Sequence, residues 1–369
     1  MNDAWHDLGP VEVLKDPPLR EIQVGPMRVA LSYANGEFAA IGGVCPHAGG
    51  PLGEGTLKDE KISCPWHSFR YDRRTGVCRL GESLEFAVPS YPLKIKDGRL
   101  FVSPKPATKG RPMPEYEDEL TRPIRREPGP TRVAGISTTV MDARHPRYST
   151  SETLLQAALD HARDELKAET RLIRMNDLRV RHCEGYYSKS SHACLWPCTI
   201  TRGDENDQMD RIYEAMVHWA DVLLVATPIR WGAASSLYYK MVERLNCVQN
   251  QITLHNNVLI RNKVASFLII GGQDNVQLVA GQMMGFFAEL GFVFPPFPYI
   301  AHSLGWAAEN MERNVKYVKK SRMLHEGAKD LVRRAVEMSK VLLESPVCTA
   351  AIERAGRKAH AGTPPDQAG

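Results

Sequence analysis

Two short segments, Cys45-Pro46-His47 and Cys64-Pro65-Trp66-His67, separated by sixteen residues, constrain this chain more than anything else in it. Each offers one thiol and one imidazole. A two-iron cluster uses such a set evenly, with both thiolates on one iron and both imidazoles on the other, so that each loop supplies one ligand of each kind. Neutral imidazole in place of thiolate removes negative charge and raises the reduction potential. It also leaves the far imidazole edges near solvent, ready to meet a partner. The same four side chains would satisfy a tetrahedral zinc ion. Zinc fingers, however, group their two Cys together and their two His together, whereas each loop here is mixed and carries Pro directly after its Cys.

The surrounding strings, Cys45 to Gly53 (CPHAGGPLG) and Cys64 to Gly76 (CPWHSFRYDRRTG), closely resemble Rieske ferredoxins and the Rieske domains of aromatic-ring dioxygenase systems. The resemblance covers about the first hundred residues. It implies a Rieske-type 2Fe-2S cluster with Cys45, His47, Cys64 and His67 as metal ligands. Rieske proteins of respiratory complexes carry a further Cys in each loop, and those positions hold Gly50 and Trp66 here, which places the chain with the ferredoxin branch. That branch usually has Gly after the second His and Phe before the Asp, where this chain has Ser68 and Tyr71. A phenol at Tyr71 can donate a hydrogen bond to a cluster sulfur and raise the potential, or simply pack.

At 369 residues the chain exceeds one ordinary hydrophobic core, so two domains are expected. With 43% hydrophobic and 24% charged residues, the composition is that of a globular protein rather than a disordered or membrane one. The net charge of +4 is small and dispersed, which argues against nucleic acid as a partner. No window approaches the roughly 18 apolar residues of a membrane span, and Met1 to Pro10 has no basic stretch followed by an apolar run. A cytoplasmic protein without membrane association is expected. The 8 cysteines show no regular pairing, which fits a reducing compartment.

Short β-like runs at Arg28 to Tyr33, Phe38 to Ile41, Ile62 to Pro65, Leu93 to Ile95 and Leu100 to Val102 indicate a small all-β domain over 1–105. Seven prolines between Pro104 and Pro130 mark a semi-extended linker, 106–131. Strands then alternate with helices over 132–345. Strands are expected at Arg132 to Val140, Thr170 to Met175, Asp221 to Thr227, Lys263 to Gly271 and Phe292 to Ile300. Helices are expected at Ser151 to Lys167, Asp207 to Trp219, Ser235 to Asn246, Val276 to Leu290 and Glu309 to Leu343. Five strands in this rhythm predict an α/β domain, a five-stranded parallel sheet covered on both faces. The tail 346–369 reads as disordered.

In such a doubly wound, flavodoxin-like sheet the ligand lies at the carboxyl ends of the strands where the strand order reverses. Three loops are expected to line that crevice. The first contains Ser149, Ser151 and Thr153 at a helix start, whose hydroxyls and free amides suit a phosphate or ordinary capping. The second is Thr227-Pro228-Ile229-Arg230-Trp231-Gly232, and the third is Gly271-Gly272-Gln273-Asp274. Together with ADVLLVATPIRWG from Ala220 and IIGGQD from Ile269, they make residues 132–344 similar to the NAD(P)H-dependent FMN and quinone reductases. By that resemblance, Ser149, Ser151 and Thr153 hold the FMN phosphate, and Thr227 to Gly232 with Gly271 to Asp274 hold the isoalloxazine. Arg230 could stabilise reduced flavin, meet a nicotinamide phosphate or form a surface salt bridge.

Cys183, Cys194 and Cys198 lie where related iron-sulfur flavoproteins carry a compact four-cysteine motif, but Tyr186 stands in place of one Cys and the spacing is longer, so no second cluster is expected, the alternative being a site completed by His182 or His192. The resemblances together imply an NAD(P)H-dependent flavin oxidoreductase that couples the two-electron chemistry of FMN to one-electron transfer through the Rieske cluster. The donor is a nicotinamide cofactor, and the other partner is an unidentified electron acceptor or donor, including a partner protein. A homodimer or homotetramer is implied by the same branch. The rival readings are an electron-transfer module serving a separate oxygenase, and a redox sensor.

Overall fold

The computed structural model describes residues 5–80, 84–113, 118–141, 144–271 and 274–345. The chain forms two compact units. The first comprises Met1–Glu117 together with Gly185–Leu195, and the second comprises Asp118–Glu184 together with Trp196–Gly369. The tail 346–369, read from sequence as disordered, lies outside the described residues.

Every strand pairing within the sheets of the first unit is antiparallel. A four-stranded sheet runs Ser90–Tyr91, Glu37–Gly42, Met27–Ala34, Leu19–Val24. A five-stranded one runs Thr56–Lys58, Lys61–Ser63, Arg70–Asp72, Val77–Leu80, Leu84–Ala87. A third sheet orders His6–Pro10, Arg99–Val102 and Leu93–Lys96. Three hairpins close on two-residue turns with both backbones left-handed: Asn35-Gly36, Asp59-Glu60 and Asp97-Gly98. That is the turn whose twist matches the strands. One buried core joins Ile41, Leu52, Ile62, Tyr71, Phe86 and Val88 to Cys45 and Cys64, so the two Cys/His loops grow directly out of buried packing. Arg73, fully buried, locks this arrangement. Its Nε donates to Glu60 Oε2 at 2.7 Å, and its terminal nitrogens donate to the Glu37 and Ala34 carbonyls at 3.2 and 3.1 Å. A buried guanidinium needs such partners to offset its desolvation.

The second unit holds five parallel strands: β1 (Arg132–Ser137), β2 (Glu169–Arg174), β3 (Val222–Ile229), β4 (Val264–Gly271) and β5 (Tyr299–Ser303). Their spatial order is β2-β1-β3-β4-β5, the flavodoxin-like arrangement. The central strands are near-continuous apolar runs because helices cover both faces. The described helices include α1 (Thr150–Asp164), α2 (Ser236–Arg244), α3 (Asn246–His255), α4 (Val276–Glu289), α5 (Ala308–Lys320) and α6 (Arg322–Glu344). On one face, Leu154, Leu155 and Leu159 of α1 pack with Leu331, Val332 and Val336 of α6 against β1, β3 and β4.

Three expected elements differ from what forms. The helix expected over Glu309 to Leu343 breaks at Ser321, whose hydroxyl accepts from the Leu324 amide and starts α6 as an N-cap. The strand expected from Phe292 shrinks to Tyr299–Ser303, because Pro295, Pro296 and Pro298 cannot donate to a ladder; only Val293 bridges Val264 ahead of them. The helix expected over Asp207 to Trp219 starts at Asp210 and widens into π-type turns over Glu214–Trp219.

Candidate functional site

The two metal loops of the first unit are built alike. In one, the Cys45 amide donates to the Gly50 carbonyl at 2.9 Å and the Gly49 amide to the Cys45 carbonyl at 2.9 Å. In the other, the Cys64 amide donates to the Phe69 carbonyl at 2.8 Å and the Ser68 amide to the Cys64 carbonyl at 3.0 Å. Gly49 and Ser68 thus occupy equivalent places, and both are left-handed, at φ 86° and 61°. A Cβ in that conformation costs about 1 kcal/mol. Ser68→Gly is therefore expected to stabilise the first unit by about that amount, seen as a higher denaturant midpoint at unchanged slope.

This matched pair of turns sets the four side chains in two couples. The His47 and His67 Nδ1 atoms converge to 3.1 Å, with the rings edge-on at 85°. His67 Nε2 lies 2.6 Å from the Ala193 carbonyl, which can only accept, so Nε2 carries the proton and the neutral ring has its lone pair on Nδ1. The Cys45 and Cys64 thiols pair with each other, and both are buried. The hydrogen bond from Cys45 brings Cys64 down to about 6, helped by the Trp66 and His67 amides, while Cys45 is pushed up. No three Cys, His, Asp or Glu side chains gather round one point among the described residues, as separate thiol and imidazole couples entail. A Cβ on Gly50 would stand 2.7 Å from Cys64 Sγ, so only glycine leaves room for the sulfur.

Tyr71, fully buried, brings its hydroxyl to 2.9 Å from Cys45 Sγ. Burial, then the electrostatic effect of Cys45, pushes its ionisation far above the ordinary tyrosine range, so it keeps its proton and can donate it to the Cys45 sulfur.

In the second unit the three expected loops meet at the carboxyl ends of β1, β3 and β4. Ser235, the N-cap of α2, donates to the Thr138 carbonyl at 2.6 Å and so ties the second loop to the first. Asn275 donates to the Gly232 carbonyl at 2.9 Å and ties the third to the second. The first loop borders a cavity of about 790 Å³ lined by Thr139, Arg147, Tyr148, Ser149, Thr153 and Arg174, among others. Ser149 caps α1, accepting from the Glu152 amide at 3.2 Å, and Thr139 Oγ1 lies 2.8 Å from Ser149 Oγ and 3.1 Å from Ser151 Oγ. Ser149 and Thr153 therefore face the cavity, whereas the Ser151 side chain is buried behind them. Glu152, also in the lining, is held by Ser137 Oγ at 2.7 Å and Arg174 Nε at 2.6 Å.

Thr227 is buried and accepts from the Ser235 amide at 3.1 Å, which makes its side chain a brace. Arg230 to Ala233 form a two-bond turn with Trp231 and Gly232 left-handed, at φ 52° and 71°. Trp231 is 87% exposed, and a Cβ on Gly232 would press on Asn275 and Trp306. Arg230 and Asp274 are exposed, Pro228 is half-buried, Ile229 is buried, and Gly271 ends β4 as a buried residue. Gly272 and Gln273 lie outside the described residues. Cys198 pairs with Cys247.

Residues 4–92 match the Rieske [2Fe-2S] domain family, and residues 132–307 match the NADPH-dependent FMN reductase family. Over 94 residues the chain is 31% identical to the 3-phenylpropionate/cinnamic acid dioxygenase ferredoxin subunit of Photorhabdus laumondii, covering 25% of this chain and 88% of that one.

The chain belongs to the Rieske family. It joins that domain to an FMN reductase domain.

Human apoptosis-inducing factor 3 is 34% identical over 92 residues, 25% of this chain but 15% of its own length. This protein thus spans a small part of that relative. A crystal structure of RosB with bound 8-demethyl-8-formylriboflavin-5′-phosphate is 21% identical, with a TM-score of 0.49 over 64% of this chain and 90% of that one. The Rieske domain carries a 2Fe-2S cluster, and the reductase domain takes FMN with NAD(P)H. The thiol couple, the imidazole couple meeting at its Nδ1 atoms and the Gly50 clearance fit the cluster. The cavity at the α1 start, with the Ser149 and Thr153 hydroxyls and Arg147, fits a phosphate at that end, while Asp160, Asp177 and the Glu152-paired Arg174 line the rest of it.

Sequence reading missed Thr139 and Arg147, which lie before the α1 start, and Arg174, which ends β2. It also missed Lys189 and Ala193 of the first unit, and read Tyr186 only as the replacement of a Cys; the signal for all three was a long connection of neither period. Two predictions belong to these sites. Tyr71→Phe removes a hydrogen bond that strengthens as the cluster gains negative charge; if about 1.4 kcal/mol of it belongs to the reduced state, the midpoint falls by about 59 mV in a redox titration. Ser149→Ala removes both the cap and a cavity hydroxyl and is expected to weaken FMN binding about tenfold by fluorescence quenching.

Proposed function

We propose that this redox protein is an NAD(P)H-dependent flavin oxidoreductase that passes electrons from FMN through the Rieske cluster to an acceptor. The observation that carries the reading is the presence, on one chain, of a two-couple donor site and a flavodoxin-like crevice. Bound FMN accepts a hydride and releases electrons singly, and a Rieske cluster exchanges one electron at a time. The residues divide the work accordingly. Ser149 and Thr153 with the α1 amides anchor the phosphate, with Ser151 and Thr139 bracing them. The Thr227–Gly232 and Gly271–Asp274 loops border the ring, with Arg230 at its edge. Cys45, His47, Cys64 and His67 ligate the irons, while Tyr71 holds the Cys45 sulfur.

The test is rapid anaerobic mixing with NADPH or NADH, with flavin and cluster absorbance followed separately. Flavin bleaching that precedes cluster bleaching supports the reading, and cluster reduction ahead of the flavin would overturn it. The likeness to dioxygenase ferredoxin subunits supports a second reading, an electron-transfer module delivering to a separate oxygenase. On that reading, NAD(P)H oxidation with a small acceptor such as ferricyanide stays negligible until the partner is added. Association into a homodimer or homotetramer is part of the first proposal and is read by light scattering.

A further inference from the structure

Residues Gly185–Leu195 belong to the first unit although the chain on either side belongs to the second. Two single 3₁₀ turns, Tyr186–Ser188 and Ser191–Ala193, make up its ordered part. Of its eleven residues only Ala193 is buried. The Ala193 carbonyl accepts from His67 Nε2 at 2.6 Å. Tyr186 sets its ring edge-on to the same imidazole, with centroids 4.6 Å apart. Lys189 Nζ donates to the Trp66 carbonyl at 3.3 Å, one residue before that ligand.

Fixing a segment costs conformational entropy for every residue ordered. A surface segment that buries one side chain recovers little of this through apolar packing. Three of its contacts converge on one point, the outward edge of His67 and the residue before it. His67 is 6% exposed in consequence, while its counterpart His47 is half-buried. The expectation that both imidazole edges face solvent therefore holds at most for one of them.

We propose that Gly185–Leu195 is a strap that fixes the His67 ring and closes that edge of the cluster to outside electron-transfer proteins. An external partner then meets one imidazole edge instead of two. The proposal rests on the reading of Cys45, His47, Cys64 and His67 as cluster ligands. Ala193 and Tyr186 are positioning residues acting through His67, and Lys189 is the hook that keeps the strap in place.

The test is carbethoxylation of the full-length holoprotein by diethyl pyrocarbonate, mapped by peptide mass spectrometry, after the cluster has been quantified by EPR. In the native chain His67 is expected to react about tenfold more slowly than His47, the protection that a docked hydrogen bond and ring contact give. Tyr186→Ala combined with Lys189→Ala should bring the two rates together with the EPR signal retained. Lys189→Ala alone, at an exposed position that does not threaten folding, should shift the His67 rate in the same direction. Equal reactivity of the two histidines in a loaded native chain would overturn the strap, as would unchanged protection in both variants. Failure of the cluster reading is a different result, absence of the Rieske EPR signal before any modification.

Discussion

Cys64→Ser is expected to leave a protein with FMN bound and no Rieske EPR signal. A serine hydroxyl does not ionise to replace the thiolate, so the thiol couple with Cys45 loses one member and its iron loses one of two anionic ligands. The effect extends to folding, because Cys45 and Cys64 sit in the same core as Ile62, Tyr71 and Phe86. Bound metal stabilises the state that holds it. The first unit should therefore melt earlier in calorimetry while the transition of the second unit stays in place. Iron analysis and flavin absorbance of one preparation separate the two consequences. Equal loss of flavin and iron would contradict the assignment of the cofactors to separate units.

A loss of about 3–5 kcal/mol is expected for Arg244→Met, the largest stability effect in the second unit. Arg244 and Asp207 are both wholly buried, and their ion pair is 2.8 Å long. The guanidinium also donates to Asp207 Oδ1 at 3.1 Å, Thr201 Oγ1 at 2.6 Å and the Arg181 carbonyl at 3.0 Å. Removing it strands a buried carboxylate, which costs more than the pair itself contributes. Burial pushes the Asp207 carboxyl up, but the Arg244 hydrogen bond, the Arg181 amide, the Arg244 charge and the Thr201 hydroxyl together outweigh it and the net displacement is downward. A group whose folded value lies below its unfolded one contributes stability above the unfolded value and loses it as pH falls through the folded one. Urea melts of the native chain should thus weaken on the acid side below the ordinary aspartate range, and Arg244→Met should flatten that limb. A variant within about 1 kcal/mol of the native chain would contradict the account of this pair.

The Rieske domain was legible because each of its two Cys/His loops carries its donors within four residues, so local sequence fixes local geometry. The order of strands and helices was legible because burial on both faces demands long apolar runs. The failures have physical causes as specific. Ser321 looked like one polar residue in a long amphipathic stretch, and only its cap to Leu324 divides that stretch into two helices. The prolines after Phe294 carried the message that no ladder could form there, and apolar content concealed it. Ser151 shared its hydroxyl chemistry with Ser149, but helix geometry turned it inward to Thr139. The strap was the least legible. Its decisive atom is the backbone carbonyl of Ala193, which no side-chain pattern reveals. What the sequence did contain was a connection of about twenty residues from Leu178 to Cys198 without regular period, and connections that long are usually functional.

The central claim is that nicotinamide reduces the flavin and the flavin reduces the cluster within one chain. Anaerobic titration of the purified holoprotein with NADPH, and in parallel with NADH, tests it when flavin absorbance and the EPR signal of the reduced cluster are read on the same samples. The account predicts that flavin bleaching is accompanied by a cluster signal approaching one spin per chain with at least one of the two donors. Complete flavin bleaching with an EPR-silent cluster that dithionite can still reduce would contradict it.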